Sequence, residues 1–277
     1  MNLEWQRARA AKLRELHQGP KTLVLPNAWD CVSARLFEQA GFPALATTSG
    51  GVAAVLGYPD GQRISASEML LMVGRIAATV SVPVTADLEA GYGTTPDAVA
   101  ETIRQAINLG VAGANLEDGR GPHQPLADLT YQVEVIKAVR AVANAAATPF
   151  VINARLDVFL RGNGSDAERF NEAVRRAHAY CEAGADCIFP MGLRDRETIV
   201  RLLREVKCPV NIIIGPGSPP LAELEQIGVR RVTFGSALTR ATLPCMQRLA
   251  QDLRATGNSE LLAQTEFTHA IVNALFQ

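Results

Sequence analysis

Val82-Pro83-Val84-Thr85-Ala86-Asp87-Leu88-Glu89-Ala90-Gly91-Tyr92-Gly93 is the stretch on which the reading of this 277-residue chain turns. An apolar, β-prone run ends in two carboxylates, Asp87 and Glu89, and then in a tyrosine between glycines. Residues two apart on a strand share a face, so Asp87 and Glu89 are expected side by side. Adjacent acids repel unless a proton or a cation separates them. A Mg2+ (or Mn2+) ion held through a few carboxylates and waters resolves that repulsion. The plainer alternative is a pair of ordinary exposed loop acids. The motif has company, however: Asn115-Leu116-Glu117-Asp118 and Asn153-Ala154-Arg155-Leu156-Asp157 are further polar strand ends.

Outward from this stretch, short β-prone runs alternate with longer helical patterns. Strands are expected at 22–26, 44–48, 82–88, 112–117, 149–155, 186–190, 209–214 and 230–234. Helices are expected at 31–40, 66–79, 96–109, 129–146, 166–183, 195–206, 219–227 and 236–254. Thr95-Pro96 is a helix start, and Gly41, Gly110 and Gly184 are helix stops. Repeated strand–helix units imply an α/β fold, a (β/α)8 TIM barrel. The first turn, Leu25-Pro26-Asn27-Ala28-Trp29-Asp30, lacks the glycine fingerprint of a doubly wound dinucleotide-binding sheet. One barrel domain is expected over 1–277, with its core at about 20–255 and interface helices in 236–277. Flanking helices are expected at 3–17 and 259–276.

Composition narrows the function. Lys plus Arg is 27 and Asp plus Glu is 28, a net charge of −1, so no electrostatic case exists for nucleic acid or an anionic membrane. No uncharged apolar run approaches spanning length. The cysteines 31, 181, 187, 208 and 245 contain no C-x-x-C pair and read as small buried hydrophobes, with Cys31, Cys187 and Cys208 in the core. A charged N-terminus without the apolar stretch of a signal peptide makes a cytoplasmic location the expectation.

Barrel enzymes place their chemistry at the C-terminal strand ends. Here those ends collect Asn27, Asp30, Thr47, Thr48, Ser49, Gly50, Gly51, Asp87, Glu89, Glu117, Asp118, Arg155, Met191, Asn211 and Ser236, with Asp60 in the loop after the second strand. The acids suit a hard cation, Arg155 suits a carboxylate gripped by a planar fork, and N–H groups at Ser49-Gly50-Gly51 suit a second anionic group.

Together with Asn27-Ala28-Trp29-Asp30, Thr48-Ser49-Gly50-Gly51 and Tyr58-Pro59-Asp60, these segments resemble the isocitrate lyase/phosphoenolpyruvate mutase superfamily, from about residue 20 to about residue 240. The resemblance implies a Mg2+-dependent enzyme acting on small 2-oxo or 2-hydroxy carboxylates through an enolpyruvate-like intermediate. It implies Asp87 as the direct metal ligand, with Asp60, Glu89 and Glu117 acting through waters. Ser49, Gly50 and Arg155 would bind substrate, with Asn211 near it. It also implies a C-terminal helix exchanged between subunits of a homotetramer.

The departures are as informative. The loop Glu117-Asp118-Gly119-Arg120-Gly121-Pro122-His123-Gln124-Pro125-Leu126 has neither the cysteine of the isocitrate and methylisocitrate lyases nor the Asn-Ser segment of the mutase. Glu89 stands where Asp is usual, and Met191 where lyases carry Glu. The reading is a lyase breaking a C–C bond next to a 2-oxo acid, as in decarboxylation of an oxaloacetate-like substrate. Arg155, Glu117 and His123 are its candidate catalytic residues. His123 is the proton carrier best matched to neutral pH, although a lone histidine in a Gly-Pro-rich loop is more often a solvated surface residue. Tyr92 either contacts the bound oxyanion or packs over the motif. P–C bond chemistry and a non-catalytic 2-oxo-acid-binding protein are the rival readings.

Overall fold

The computed structural model describes residues 3–119, 121, 124–257, 260–263 and 266–277. The strands among them are β1 (Leu23–Leu25), β2 (Asn27–Ala28), β3 (Leu45–Thr47), β4 (Val84–Asp87), β5 (Gly113–Glu117), β6 (Val151–Leu156), β7 (Cys187–Pro190), β8 (Asn211–Ile213) and β9 (Arg231–Thr233). All pair in parallel, in the orders β2-β3-β4-β5-β6-β7 and β1-β9-β8. Pro26, which has no N–H to donate, splits one strand into β1 and β2, while its carbonyl accepts from Ala46 N–H at 2.9 Å. A bridge between Ile188 and Val210 joins β7 to β8. The ring therefore closes on itself as a (β/α)8 barrel.

The helices are α1 (Leu3–Gln18), α2 (Cys31–Gln39), α3 (Ser49–Val55), α4 (Ala66–Thr79), α5 (Pro96–Asn108), α6 (Leu129–Ala145), α7 (Val158–Arg161), α8 (Asp166–Ala183), α9 (Arg196–Glu205), α10 (Leu221–Gln226), α11 (Ala237–Thr256), α12 (Glu260–Ala263) and α13 (His269–Ala274). None is long and apolar enough to cross a membrane among the described residues. α3 is absent from the helices expected from the sequence. Its glycines carry poor helix propensity, but Thr48 caps the first turn, and at Gly51 a Cβ would come within 2.8 Å of Thr48, Thr239 and Trp29 atoms. Close packing, not propensity, makes this helix.

Two further expectations are corrected. Cys181, in the last turn of α8, and Cys208, on the approach to β8, form a disulfide with Cα atoms 6.3 Å apart, leaving Cys31, Cys187 and Cys245 free. The single helix expected at 259–276 is two short ones, α12 and α13, and Leu262, Phe267 and Ile271 are exposed whereas Leu275 is buried. The side chain of Leu261 lies outside the described residues. α11 is exposed along nearly its whole length, with Thr239 its buried residue.

The main core lies between the strands and the surrounding helices, and a second one fills the floor of the barrel. There α1 acts as a stopper: Ala10 and Leu13 pack on Leu23, Leu25, Ala46 and Val151. Gln6 Nε2 donates to Val111 O at 3.3 Å, and Arg9 Nη1 to Ala77 O at 2.8 Å. His17 closes the same end, bonding Leu13 O at 2.8 Å through Nδ1. Burial first, and then the Arg231 charge, push its imidazole down to about 4, with the Leu13 bond acting the other way. Unfolded, the ring titrates near 6.5, so between these values the unfolded chain binds a proton that the folded one refuses. This stabilisation is complete above about pH 6.5 and is lost as pH falls toward 4, an effect on the order of 3 kcal/mol. His17→Gln should flatten that slope. Urea midpoints of both proteins at pH 7 and pH 5 test it, and parallel shifts would clear His17 of the role.

Candidate active site

β-ladder register does the first part of the assembly. It sets Glu117 opposite Arg155 across β5 and β6, and Asp87 opposite Asn115 across β4 and β5. β4 ends at Asp87, so Glu89 is not brought alongside by strand alternation as expected. A tight turn does this instead, with Glu89 at φ +50°, Gly91 at +91° and Tyr92 at +58°. At Gly91 a Cβ would lie 2.4 Å from Val99 Cγ1. Left-handed backbone at non-glycine residues costs about 1–3 kcal/mol each and persists only where the surroundings enforce it. The enforcing bonds are visible: Glu117 N–H donates to Glu89 O at 2.9 Å, and Gln62 Oε1 accepts from Ala90 N–H at 3.0 Å and Tyr92 N–H at 3.4 Å. The Tyr92 hydroxyl donates to Glu89 Oε1 at 2.8 Å.

Asp60 is drawn in from its own loop. Ser49 Oγ donates to Asp60 Oδ1 at 3.4 Å, and a Cβ on Gly50 would stand 2.9 Å from Asp60 Oδ2, so glycine makes room for the acid. Asp87 Oδ2 accepts from Ser49 N–H at 3.0 Å, and Oδ1 faces Asn115 Nδ2 at 3.5 Å. These acids feel one another. Burial, then Asp87, push the Glu89 carboxyl up to about 7, with Asp60 adding to the effect. Burial likewise raises Glu117; Arg155 opposes this, while Asp157, Asp87 and Glu89 reinforce it.

Arg155 answers part of this charge. Its Nη1 pairs with Glu117 Oε2 at 2.5 Å, and Nε and Nη2 form a fork on Asp157 at 2.6 and 3.0 Å. Burial works against the guanidinium charge, but Glu117 and Asp157 hold its pKa above the usual value. Asp157, fully buried, also takes Arg161 Nε at 2.9 Å, and its own N–H donates to Asp118 Oδ1 at 2.8 Å. Asp118 in turn binds Arg176 at 3.0 Å and the Tyr180 hydroxyl at 2.9 Å. Asp118 thus belongs to the frame under the site. Asp157, Arg161, Arg176, Tyr180 and Gln62 were not singled out as site residues; the acid two residues beyond Arg155 was the available signal for Asp157.

The structure brings Asp60, Asp87, Glu89, Glu117, Tyr92, Arg155, Ser49 and Gly50 to one end of the barrel. Thr48 serves as the α3 cap, and Gly51 is a packing position. Asn211 opens β8 and is fully buried, and its Nδ2 donates to Thr233 Oγ1 at 3.3 Å. Asn27 staples the barrel seam, its Oδ1 accepting from Phe234 and Gly235 N–H at 2.8 and 3.0 Å. His123 lies outside the described residues.

A hard divalent cation fits these residues. Carboxylate oxygens are its preferred donors, and Asp60, Asp87, Glu89 and Glu117 present them at one end of the barrel, with burial foremost in raising Glu89 and Glu117 and the other acids adding to it. Among the described residues no three His, Cys, Asp or Glu side chains are clustered closely enough to hold an ion together.

The family model for phosphoenolpyruvate phosphomutase matches residues 13–254. The chain belongs to this family. It is an enzyme of the PEP mutase/isocitrate lyase superfamily, whose members include 2,3-dimethylmalate lyase. That lyase from Eubacterium barkeri is 30% identical over 276 residues, covering 96% of this chain and 93% of its own. An oxaloacetate decarboxylase of Pseudomonas savastanoi pv. phaseolicola is 30% identical over 255 residues, covering 88% and 84%. A crystal structure provisionally assigned as a phosphonomutase of Burkholderia cenocepacia J2315 superposes with a TM-score of 0.84 at 38% identity, covering 88% and 99%.

Asp157→Ala should strand Arg155 and Arg161 without their shared partner and cost about 3–5 kcal/mol, as when one member of a buried pair is deleted. Thermal unfolding measures this; an unchanged midpoint would show that the network carries no such load.

Proposed function

We propose a Mg2+-dependent (or Mn2+-dependent) lyase that acts on a small 2-oxo or 2-hydroxy carboxylate through an enolpyruvate-like intermediate, by C–C cleavage or by decarboxylation of an oxaloacetate-like substrate. The observation carrying this reading is the gathering of Asp60, Asp87, Glu89 and Glu117 beside Arg155 at the strand ends. A bound divalent ion would supply Lewis acidity at the 2-oxo group. Asp87 would hold it directly, and Asp60, Glu89 and Glu117 through waters.

The side chains supply the rest. Arg155 bonds Asp157 through Nε and Nη2 and is ion-paired with Glu117 through Nη1, and a guanidinium's five N–H groups leave capacity for a substrate carboxylate. Because Asp157 already fixes the plane of the fork, little orientational freedom remains to be lost on binding. The Tyr92 hydroxyl, donating to Glu89, turns that carboxylate inward. A cavity of about 180 Å3 beside Glu117, lined by Gln62, Ala90, Thr94, Tyr131 and Gln132, has the scale of a small acid. His123 is assigned here as the lid's proton carrier. A second reading, P–C bond chemistry on the same platform, is favoured by the relative provisionally assigned as a phosphonomutase.

We also infer a cytoplasmic homotetramer with exchanged C-terminal helices. Leu243, Met246, Leu253, Phe267 and Ile271 are exposed on α11 and beyond, an apolar surface suited to a second subunit.

With Mg2+ present, the purified protein should turn over oxaloacetate and spare methylisocitrate, since the lid has no cysteine. Preferential turnover of phosphonopyruvate or carboxyphosphonoenolpyruvate would select the second reading. Asp87→Ala should abolish Mg2+ binding in calorimetry while the fold persists; wild-type affinity would remove Asp87 from the site. Light scattering should find a tetramer at micromolar concentration, and a monomer there would sink the assembly.

A further inference from the structure

Beneath the acids, inside the barrel, lies a further cation. Arg231, the first residue of β9, is completely buried, yet among the described residues it forms no ion pair. Its Nη2 donates to Asn115 Oδ1 at 3.3 Å and Nη1 to His17 Nε2 at 3.4 Å, while Nε finds no partner. His17 gives its Nδ1 proton to Leu13 O and so presents Nε2 as a neutral acceptor. Burial pushes the guanidinium down to about 10, with Cys187 and Asp87 pulling the other way, so it stays charged at neutral pH.

A guanidinium taken out of water without a contacting anion costs several kcal/mol unless charge elsewhere offsets it. The offset lies one residue away, across Asn115. Asn153 Nδ2 at 2.7 Å and Arg231 Nη2 both donate to Asn115 Oδ1, which leaves the Asn115 amide nitrogen to face Asp87 Oδ1. Two donors on one oxygen settle the amide's orientation: the oxygen points to the cation below and the NH2 to the acid above.

We propose that Arg231 is the built-in counter-ion of the acid cluster, a positioning residue that holds Asp87 through Asn115 and opposes the divalent ion by like-charge repulsion. The second half rests on the metal reading made above; the first does not. Arg231 then stabilises the metal-free enzyme and keeps the bound ion exchangeable.

The test uses the full chain. Unfolding in EDTA of wild type, Asp87→Asn, Arg231→Met and the double variant should show coupling: the Arg231→Met loss should shrink about tenfold, in unfolding equilibrium constant, once Asp87 is neutral. Calorimetric Mn2+ titration should find Arg231→Met binding about tenfold tighter than wild type, with Arg231→Lys, which keeps the charge, close to wild type. A merely space-filling Arg231 predicts additive losses and one Mn2+ affinity for all three, and that result overturns the proposal. Should Arg231→Met fail to fold, Arg231→Gln supplies the neutral variant. If wild type binds no Mn2+, the metal reading and the repulsion fall together, while the metal-free cycle still decides the counter-ion.

Discussion

Mutual repulsion among half-hidden carboxylates is the constraint around which the molecule is organised. Closing eight parallel strands brings every strand end to one rim, and β4, β5 and the loop holding Asp60 each deliver an acid there. Charge so concentrated must be matched. Arg155 matches it from the side, locked between Glu117 and Asp157, and Asp157 needs Asp118, Arg161 and Arg176 to stay in place. The helices α7 and α8 are therefore part of the electrostatics, since they carry Arg161, Arg176 and Tyr180 into the network.

Local backbone strain follows from the same demand. β4 can place only Asp87, and the next acid arrives through a turn in which two L-residues adopt left-handed angles. Gln62, from a distant loop, holds two N–H groups of that turn. Such geometry survives because the surrounding barrel over-determines it.

Much of this was legible in the chain. Strand–helix alternation is a strong periodic signal, and it located the strands of the barrel and most of its helices. Glu117 opposite Arg155 follows once strand ends are aligned. What escaped was decided by packing and distance. α3 depends on Gly51 nesting against Trp29 and Thr239, although its sequence reads as a turn. The Cys181–Cys208 pairing depends on where α8 ends relative to β8. Glu89 lies past the end of β4, so a turn and not strand alternation sets its direction. Strand existence is written in composition, but a residue's height along a short strand is not.

The α1 stopper has a kinetic consequence. Among the described residues Leu13 and His17 fill the floor of the barrel, so a small molecule bound among the acids would come and go by the rim. Two molecules sharing that entrance would have to pass one another. An occupant held at the acids would be screened by whatever arrives after it, and its exchange would slow as the rim fills.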